Sequence, residues 1–335
     1  MAFTLKKASF LSAAALTFML AGCGSDSDSA NDKVKTGSAA EEKDTYVIGV
    51  TQIVEHPSLD AAYEGFQKAL EDAGLEVEYQ FNSASGDSSQ TVTIAQKLVS
   101  DGVDLIFANS TPSAQAAKSA TSDIPIVFTS VTDAVGAELV TSMEAPGGNV
   151  TGTIDLHPDT IANTVKFLKD ELGAKKVGTV YNTGEQNSIA QVEQVKKALK
   201  AEGIELVEAA VSTSAEVKQA TESLLGKVDS LYILTDNTVV SALESVIDVA
   251  NANKLPLMVG EMDSVARGGL GAYGFEYYDI GYEAGEKAVQ ILKEGKSPGE
   301  IPATYPGNLK LVINKKAADN LGLEVKESWN AEISE

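Results

Sequence analysis

The chain has 335 residues, 43% apolar and 22% charged, with 28 glycines and 9 prolines; this excludes collagen-like, broadly disordered and multi-span membrane classes and leaves material for one large or two medium cores. Asp and Glu number 48 against 26 Lys and Arg, a formal charge of −22, so the surface repels phosphate polymers and no nucleic-acid partner is expected. Arg267 is the one arginine, which argues against a ligand clamped by several guanidinium forks.

Lys6 and Lys7 precede an apolar run from Ala8 to Leu20, followed by Ala21, Gly22 and Cys23. A charged start, a short apolar stretch and small residues predict a signal peptide over residues 1–22, too short for a comfortable transmembrane helix. Cys23 is the only cysteine and has no partner for an internal disulfide. Its place after Leu-Ala-Gly resembles the lipobox of bacterial lipoproteins, which implies lipidation of Cys23. The protein is then expected outside the cytoplasmic membrane, held to it by that lipid alone. Residues 23–44 are small and polar without an aromatic; they are expected to form a disordered tether reaching on the order of 25 Å.

From Tyr46 onward, short β-branched runs alternate with amphipathic stretches. Strands are predicted at Tyr46–Val50, Val77–Phe81, Leu105–Ala108 and Ile124–Phe128, with helices from Ser58, Ser88 and Thr111 between them. A second pass has strands at Val177–Tyr181, Ile204–Val211, Leu231–Leu234 and Leu255–Val259, with helices from Asn187, Ser214 and Thr238. Such alternation with short connections indicates βαβ units and parallel sheets. The passes read as copies. Gly49 aligns with Gly178 and Ala69–Gly74 with Ala198–Gly203 at one offset, and Val103-Asp104 then matches Val228-Asp229. The predicted fold is α/β, two Rossmann-like lobes with parallel sheets joined by crossover hinge segments. The N-terminal lobe is expected over 45–153 plus 273–298 and the C-terminal lobe over 154–272 plus 299–330. Asn149–Asp155 reads as the first crossover, Leu270–Phe275 as the return.

Ligands of open parallel sheets bind beyond the carboxyl ends of the strands, so two facing lobes line one cleft with these loops. The first lobe offers Glu55, His56, Ser110, Thr111, Thr129, Ser130 and Val131. The second offers Glu185, Asn187, Ser188, Asp236, Asn237, Glu261 and Asp263. Ser110 or Thr111, Asn187 and Asn237 suit helix N-caps, where free N–H groups welcome a carboxylate. Glu55, Glu185, Asp236, Glu261 and Asp263 would welcome an ammonium. Anion and cation sites together fit a free amino acid. His56 before Pro57 also suits a plain turn. Phe81, Tyr181, Phe275, Tyr277 and Tyr278 are placed to flank an apolar or aromatic side chain near the hinge. Gly269–Gly274 fits a G-x-G-x-x-G string, but it joins no first strand to its helix and reads as a mobile hinge segment. No elbow, Walker loop or metal-ligand spacing is present, so no enzymatic activity, cofactor or metal is expected.

The stretches Ile53–Pro57, Phe128–Asp133, Tyr181–Ser188 and Thr235–Thr238 resemble those of the substrate-binding lipoproteins of ABC importers with the type I periplasmic-binding-protein fold, in particular the tryptophan/tyrosine type. The likeness runs from Tyr46 to about Val325. It implies a monomer that delivers an aromatic or large apolar amino acid to a membrane permease with a cytoplasmic ATPase. It further implies Ser110, Thr111 and Ser130 at the carboxylate, Glu185 and Asp236 at the ammonium, and Asn187 and Asn237 as orienting groups. A sugar or nucleoside binder of the same fold, or a ligand sensor for a membrane receptor, are the alternatives.

Overall fold

In the computed structural model residues 43–335 are described; the signal peptide, Cys23 and nearly all of the tether lie outside the described residues. The first lobe is built from β1 (Tyr46–Gln52), α1 (Pro57–Asp72), β2 (Val77–Ser83), α2 (Ser88–Asp101), β3 (Leu105–Asn109), α3 (Thr111–Ala120), β4 (Ile126–Val131) and β5 (Val150–Ile154). These strands form one parallel sheet in the order β2-β1-β3-β4-β5. The chain then crosses to α4 (Thr160–Asp170), β6 (Lys176–Asn182), α5 (Gln186–Ala201), β7 (Glu205–Val211), α6 (Val217–Ser223), β8 (Ser230–Ile233), α7 (Asn237–Val240), α8 (Leu243–Ala252), β9 (Leu257–Val259), α9 (Met262–Arg267) and β10 (Gly271–Gly274). Next, α10 (Tyr277–Leu292) returns to the first lobe, and β11 (Lys310–Asn314), α11 (Lys315–Leu321) and β12 (Glu332–Ser334) rejoin the second. The second sheet runs β12-β11-β10-β9-β8-β6-β7, parallel except where β10 meets β11.

The equivalent orders β2-β1-β3-β4 and β7-β6-β8-β9 agree with a duplicated unit, and the aligned residues do the same work in each. Asp104 accepts from Val47 N at 2.7 Å and Asp229 from Lys176 N at 3.1 Å, each tying a loop to the start of the first strand of its repeat. Gly49 lies against Leu98 and Gly178 against Leu224 and Leu231, so closely that a Cβ on either would press into the leucine. Alternate strand residues feed opposite faces. Ile48, Val50 and Phe107 pack with Phe66 of α1 and Ala284 of α10 on one side of the first sheet, while Ile106, Ala108 and Phe128 pack with Leu98 and Ala117 on the other.

Several elements differ from their sequence reading. The predicted β4 began two residues early; it runs on through Thr129, Ser130 and Val131, which are strand and not loop. Val150–Ile154 is a fully buried strand before the crossover begins. Gly271–Gly274 is a strand inside the second sheet, so the glycine string is no mobile hinge. The helix expected from Thr238 breaks near Ser241, whose hydroxyl turns back onto the Thr238 carbonyl and competes with the helical ladder. Tyr273 and Gly274 therefore pair in the second sheet. Residues 301–304, grouped with the second lobe from sequence, pack on the first through Ile301 and Ala303, and Thr304 N donates to Gly152 O at 3.1 Å. No helix among the described residues is long and apolar enough to cross a membrane.

Candidate functional site

The carboxyl ends of β1, β3 and β4 carry the first-lobe wall of the cleft. His56 occupies the N-cap position of α1 without a side-chain cap, with Pro57 fixing the first turn. Ser110 caps α3 at φ 128°, and Ser130, next to the last residue of β4, has φ 55°. Left-handed backbone in two serines costs on the order of 1–3 kcal/mol each and is held where a site needs it. The hydroxyl oxygens of Thr51, Thr111, Ser113 and Ser130, with His56 Nδ1, are buried without a partner, while the Ser58 hydroxyl faces the Glu261 and Asp263 carboxyls. A wall of unsatisfied hydroxyls beside two helix N-termini is equipped to take an anion.

The acids come from both lobes: Asp155 follows β5 of the first, and Asp236 and Glu261 follow β8 and β9 of the second. A cavity of only about 10 Å³ between the lobes is lined by His56, Leu59, Asp155, Thr235, Asp236, Asn237, Val240, Glu261 and Tyr277. This is small beside typical ligand pockets of roughly 300–1,000 Å³, so entry requires the lobes to part. Asp155 accepts from Thr132 Oγ1 at 3.0 Å and from the Tyr277 hydroxyl at 2.9 Å; burial pushes it up to about 6 against those two bonds. Asp236 is wholly buried and its carboxyl is raised by burial first and by Glu185 second. Burial likewise raises Glu261, which accepts from Ser264 Oγ at 2.5 Å. Burial, then the positive charge of Arg267, pulls His56 down to about 4, so the imidazole is neutral at pH 7. Arg267 itself is forked onto Glu244, two bonds of 2.8 Å. The cavity thus gathers three buried carboxyls, each held toward its protonated form first by burial. Among the described residues no group of His, Cys, Asp and Glu is arranged to hold a metal ion.

The structure brings His56, Asp236, Asn237 and Glu261 to the cavity and sends other predicted residues elsewhere. Glu55 is exposed and outside the lining. Glu185 is buried, but its Oε1 accepts from Thr238 N and Oγ1 at 3.1 and 2.8 Å, and its Oε2 from Asn237 N and Nδ2 at 3.2 and 2.6 Å. It holds the start of α7, so the expected ammonium contact is replaced by a cap. Asp236 shares that duty, accepting from Val239 N at 2.8 Å, Asn182 N at 2.6 Å and Ser188 Oγ at 2.6 Å. The caps of α5 and α7 are therefore Glu185 and Asp236; Asn187 and Asn237, expected there, lie inside the helices, and the N–H groups of α7 are already taken. Asn187 Nδ2 spans to Thr235 O at 3.2 Å while its Oδ1 has no partner. Thr129 bonds Thr153 at 2.9 Å, and Val131 belongs to the first-lobe core. Of the aromatics, Tyr277 lines the cavity; Phe81 stacks on Tyr63 at 5.4 Å, Tyr181 donates to Glu208 at 3.0 Å, and Tyr278 lies exposed on α10.

Asp155 and Leu59 were not anticipated. Asp155 directly follows the Val-Thr-Gly-Thr-Ile run, and reading that run as a strand would have set it at a strand's carboxyl end with the other loops.

A family model for ABC transporter substrate binding proteins matches residues 47–334. A tyrosine-binding protein of Clostridioides difficile (strain R20291) is 47% identical over 313 residues, 91% of this chain and 89% of that protein. The structure of the ABC domain in complex with L-Trp from Streptococcus pneumonia is 33% identical with a TM-score of 0.81, covering 87% of this chain and 100% of its own. The ligand-free, open structure of a substrate binding protein with adhesive properties from Clostridium difficile is 41% identical with a TM-score of 0.65, covering 87% and 99%. A glucose-galactose binding protein from Geobacillus stearothermophilus, 15% identical over 81% of this chain and 98% of its own with a TM-score of 0.62, shares the fold alone.

Proposed function

The chain belongs to the family of ABC transporter substrate binding proteins, and from that premise we propose that it captures a free amino acid with an aromatic or large apolar side chain between its lobes. Proteins of this family work outside the cytoplasmic membrane and hand a ligand to a permease; they are binding proteins and not enzymes. Lipid attachment through Cys23 and a monomeric state belong to the same proposal. The observation that carries the ligand class is the cavity's chemistry: the buried carboxyls of Asp155 from the first lobe and of Asp236 and Glu261 from the second meet there with His56 at the N-terminus of α1, while the unpartnered hydroxyls of the first lobe lie outside the lining. An α-ammonium set among the acids and an α-carboxylate at the N-terminus of α1 would satisfy both. Tyrosine and L-Trp in the names of the relatives favour an aromatic side chain.

The present lobe arrangement is read as closed. Likeness is greater to the L-Trp complex than to the open, ligand-free protein although identity runs the other way, as a rigid-body rotation of lobes would produce. A ligand touching both walls stabilises this form by its differential affinity.

Titration calorimetry with the twenty amino acids tests the reading. L-tyrosine or L-tryptophan is expected to bind, while tyramine, which lacks the carboxylate, and 3-(4-hydroxyphenyl)propionate, which lacks the ammonium, each bind at least 100-fold more weakly. Heat from sugars or nucleosides with none from any amino acid contradicts it.

A further inference from the structure

Away from the crossovers a side-chain hydrogen bond runs from lobe to lobe: Gln191 Nε2 of α5 donates to Thr132 Oγ1, just past β4, at 3.2 Å. The second Nε2 hydrogen goes to Thr235 Oγ1 at 2.6 Å, and Thr235 N approaches Gln191 Oε1 at 3.4 Å. The carboxamide is thus held by its own lobe whether or not the lobes meet, and little side-chain freedom is lost when it engages Thr132. Thr132 spends its single hydroxyl hydrogen on Asp155 Oδ1 at 3.0 Å, which leaves its oxygen as an acceptor for Gln191. The chain of bonds therefore has one direction: Gln191 to Thr132 to Asp155, with Tyr277 donating to the other oxygen of Asp155 at 2.9 Å.

We propose that Gln191 is the latch of the closed form, a positioning residue that joins the second lobe to the Asp155 carboxyl through Thr132. It deepens the amino-acid reading, on which its link to ligand occupancy rests. The latch exists only when the lobes meet, so it slows opening and leaves the encounter of ligand with the open protein untouched. Losing one such buried bond is expected to raise the ligand dissociation rate roughly 3- to 10-fold, with the association rate changed less than twofold.

The experiment uses the full chain, with radiolabelled L-tyrosine chased to give the dissociation rate and calorimetry to give the affinity. Gln191→Leu, Thr132→Val and the double variant are compared with the wild type. Thr132→Val is expected to lose at least as much as Gln191→Leu, because it also takes a donor from Asp155, and the double variant to lose no more than Thr132→Val, as for groups in one bond. Singles whose losses multiply, or an unchanged dissociation rate, overturn the latch. Should Gln191→Leu fail to melt cooperatively, Thr132→Val removes the other end and decides alone. Absence of any L-tyrosine binding by the wild type would overturn the ligand reading instead. The latch is then judged by spin labels at Lys118 on α3 and Lys197 on α5, where both variants are expected to lower the closed fraction and an unchanged fraction contradicts the proposal.

Discussion

Asp155 is the residue on which binding and stability pull in opposite directions. Its folded-state carboxyl binds protons more tightly than in the unfolded chain, at about 6 against 3.8. Its contribution to folding is therefore present at low pH and lost as pH rises from about 4 through 6, at most about 3 kcal/mol. Asn at this position can still meet the Thr132 and Tyr277 hydroxyls, which rotate to suit. The ligand-free Asp155→Asn variant is thus expected to unfold with a flatter pH profile over 4–6 and to be more stable than the wild type at pH 7.5, as thermal melts at several pH values would read. For binding the sign reverses. Wild-type affinity for L-tyrosine is expected to fall up to about tenfold per pH unit below 6, while Asp155→Asn loses about 2–5 kcal/mol at pH 7.5 and its pH dependence there with it. A variant that binds as well as wild type at pH 7.5 removes Asp155 from the ammonium's partners. The sequence pointed to the right loops at this scale but not to the aim of each side chain. Glu185 and Asp236 read as free cleft acids, yet a cap residue first satisfies the N–H groups of its own helix, and those of α7 take both oxygens of Glu185.

At the scale of elements, the contact that fixes the first lobe is α1 against α10. Glycine permits it: a Cβ on Gly281 would run into the Ala62 carbonyl, and one on Gly65 into the Tyr278 carbonyl, both backbone atoms that cannot swing aside. Tyr277, at the start of α10, supplies the Asp155 bond, so the helix pair sets one edge of the cavity. Gly281→Ala is expected to destabilise by about 3 kcal/mol or more through overpacking, read as a lower denaturant midpoint at unchanged slope; a loss below about 0.5 kcal/mol would mean the helices slide apart freely. Gly281 and Gly285 stand four apart on one face of α10, a spacing legible in the sequence as close helix packing. The broken helix at α7 and α8 was not legible, because its cause is a local Ser241 bond and caps contributed from another loop. β5 was hidden for a different reason: five β-branched or small residues buried on all sides read equally as strand or crossover until the neighbouring β4 is in place.

For the whole molecule, the duplication made the architecture readable, since Gly49 with Gly178 and Asp104 with Asp229 serve the same packing and loop-tying roles in both lobes. The lobe boundaries were less readable because the chain crosses more than once and a crossing strand carries no label of its sheet. Rotation about those crossovers is what the shared lining requires: neither lobe alone gathers the three carboxyls. The distance between labels at Lys118 and Lys197 tests this most directly. It is expected to shorten on adding L-tyrosine or L-tryptophan and to stay at its ligand-free value with tyramine or 3-(4-hydroxyphenyl)propionate. Shortening with either half-ligand, or no shortening with any amino acid, would contradict the account.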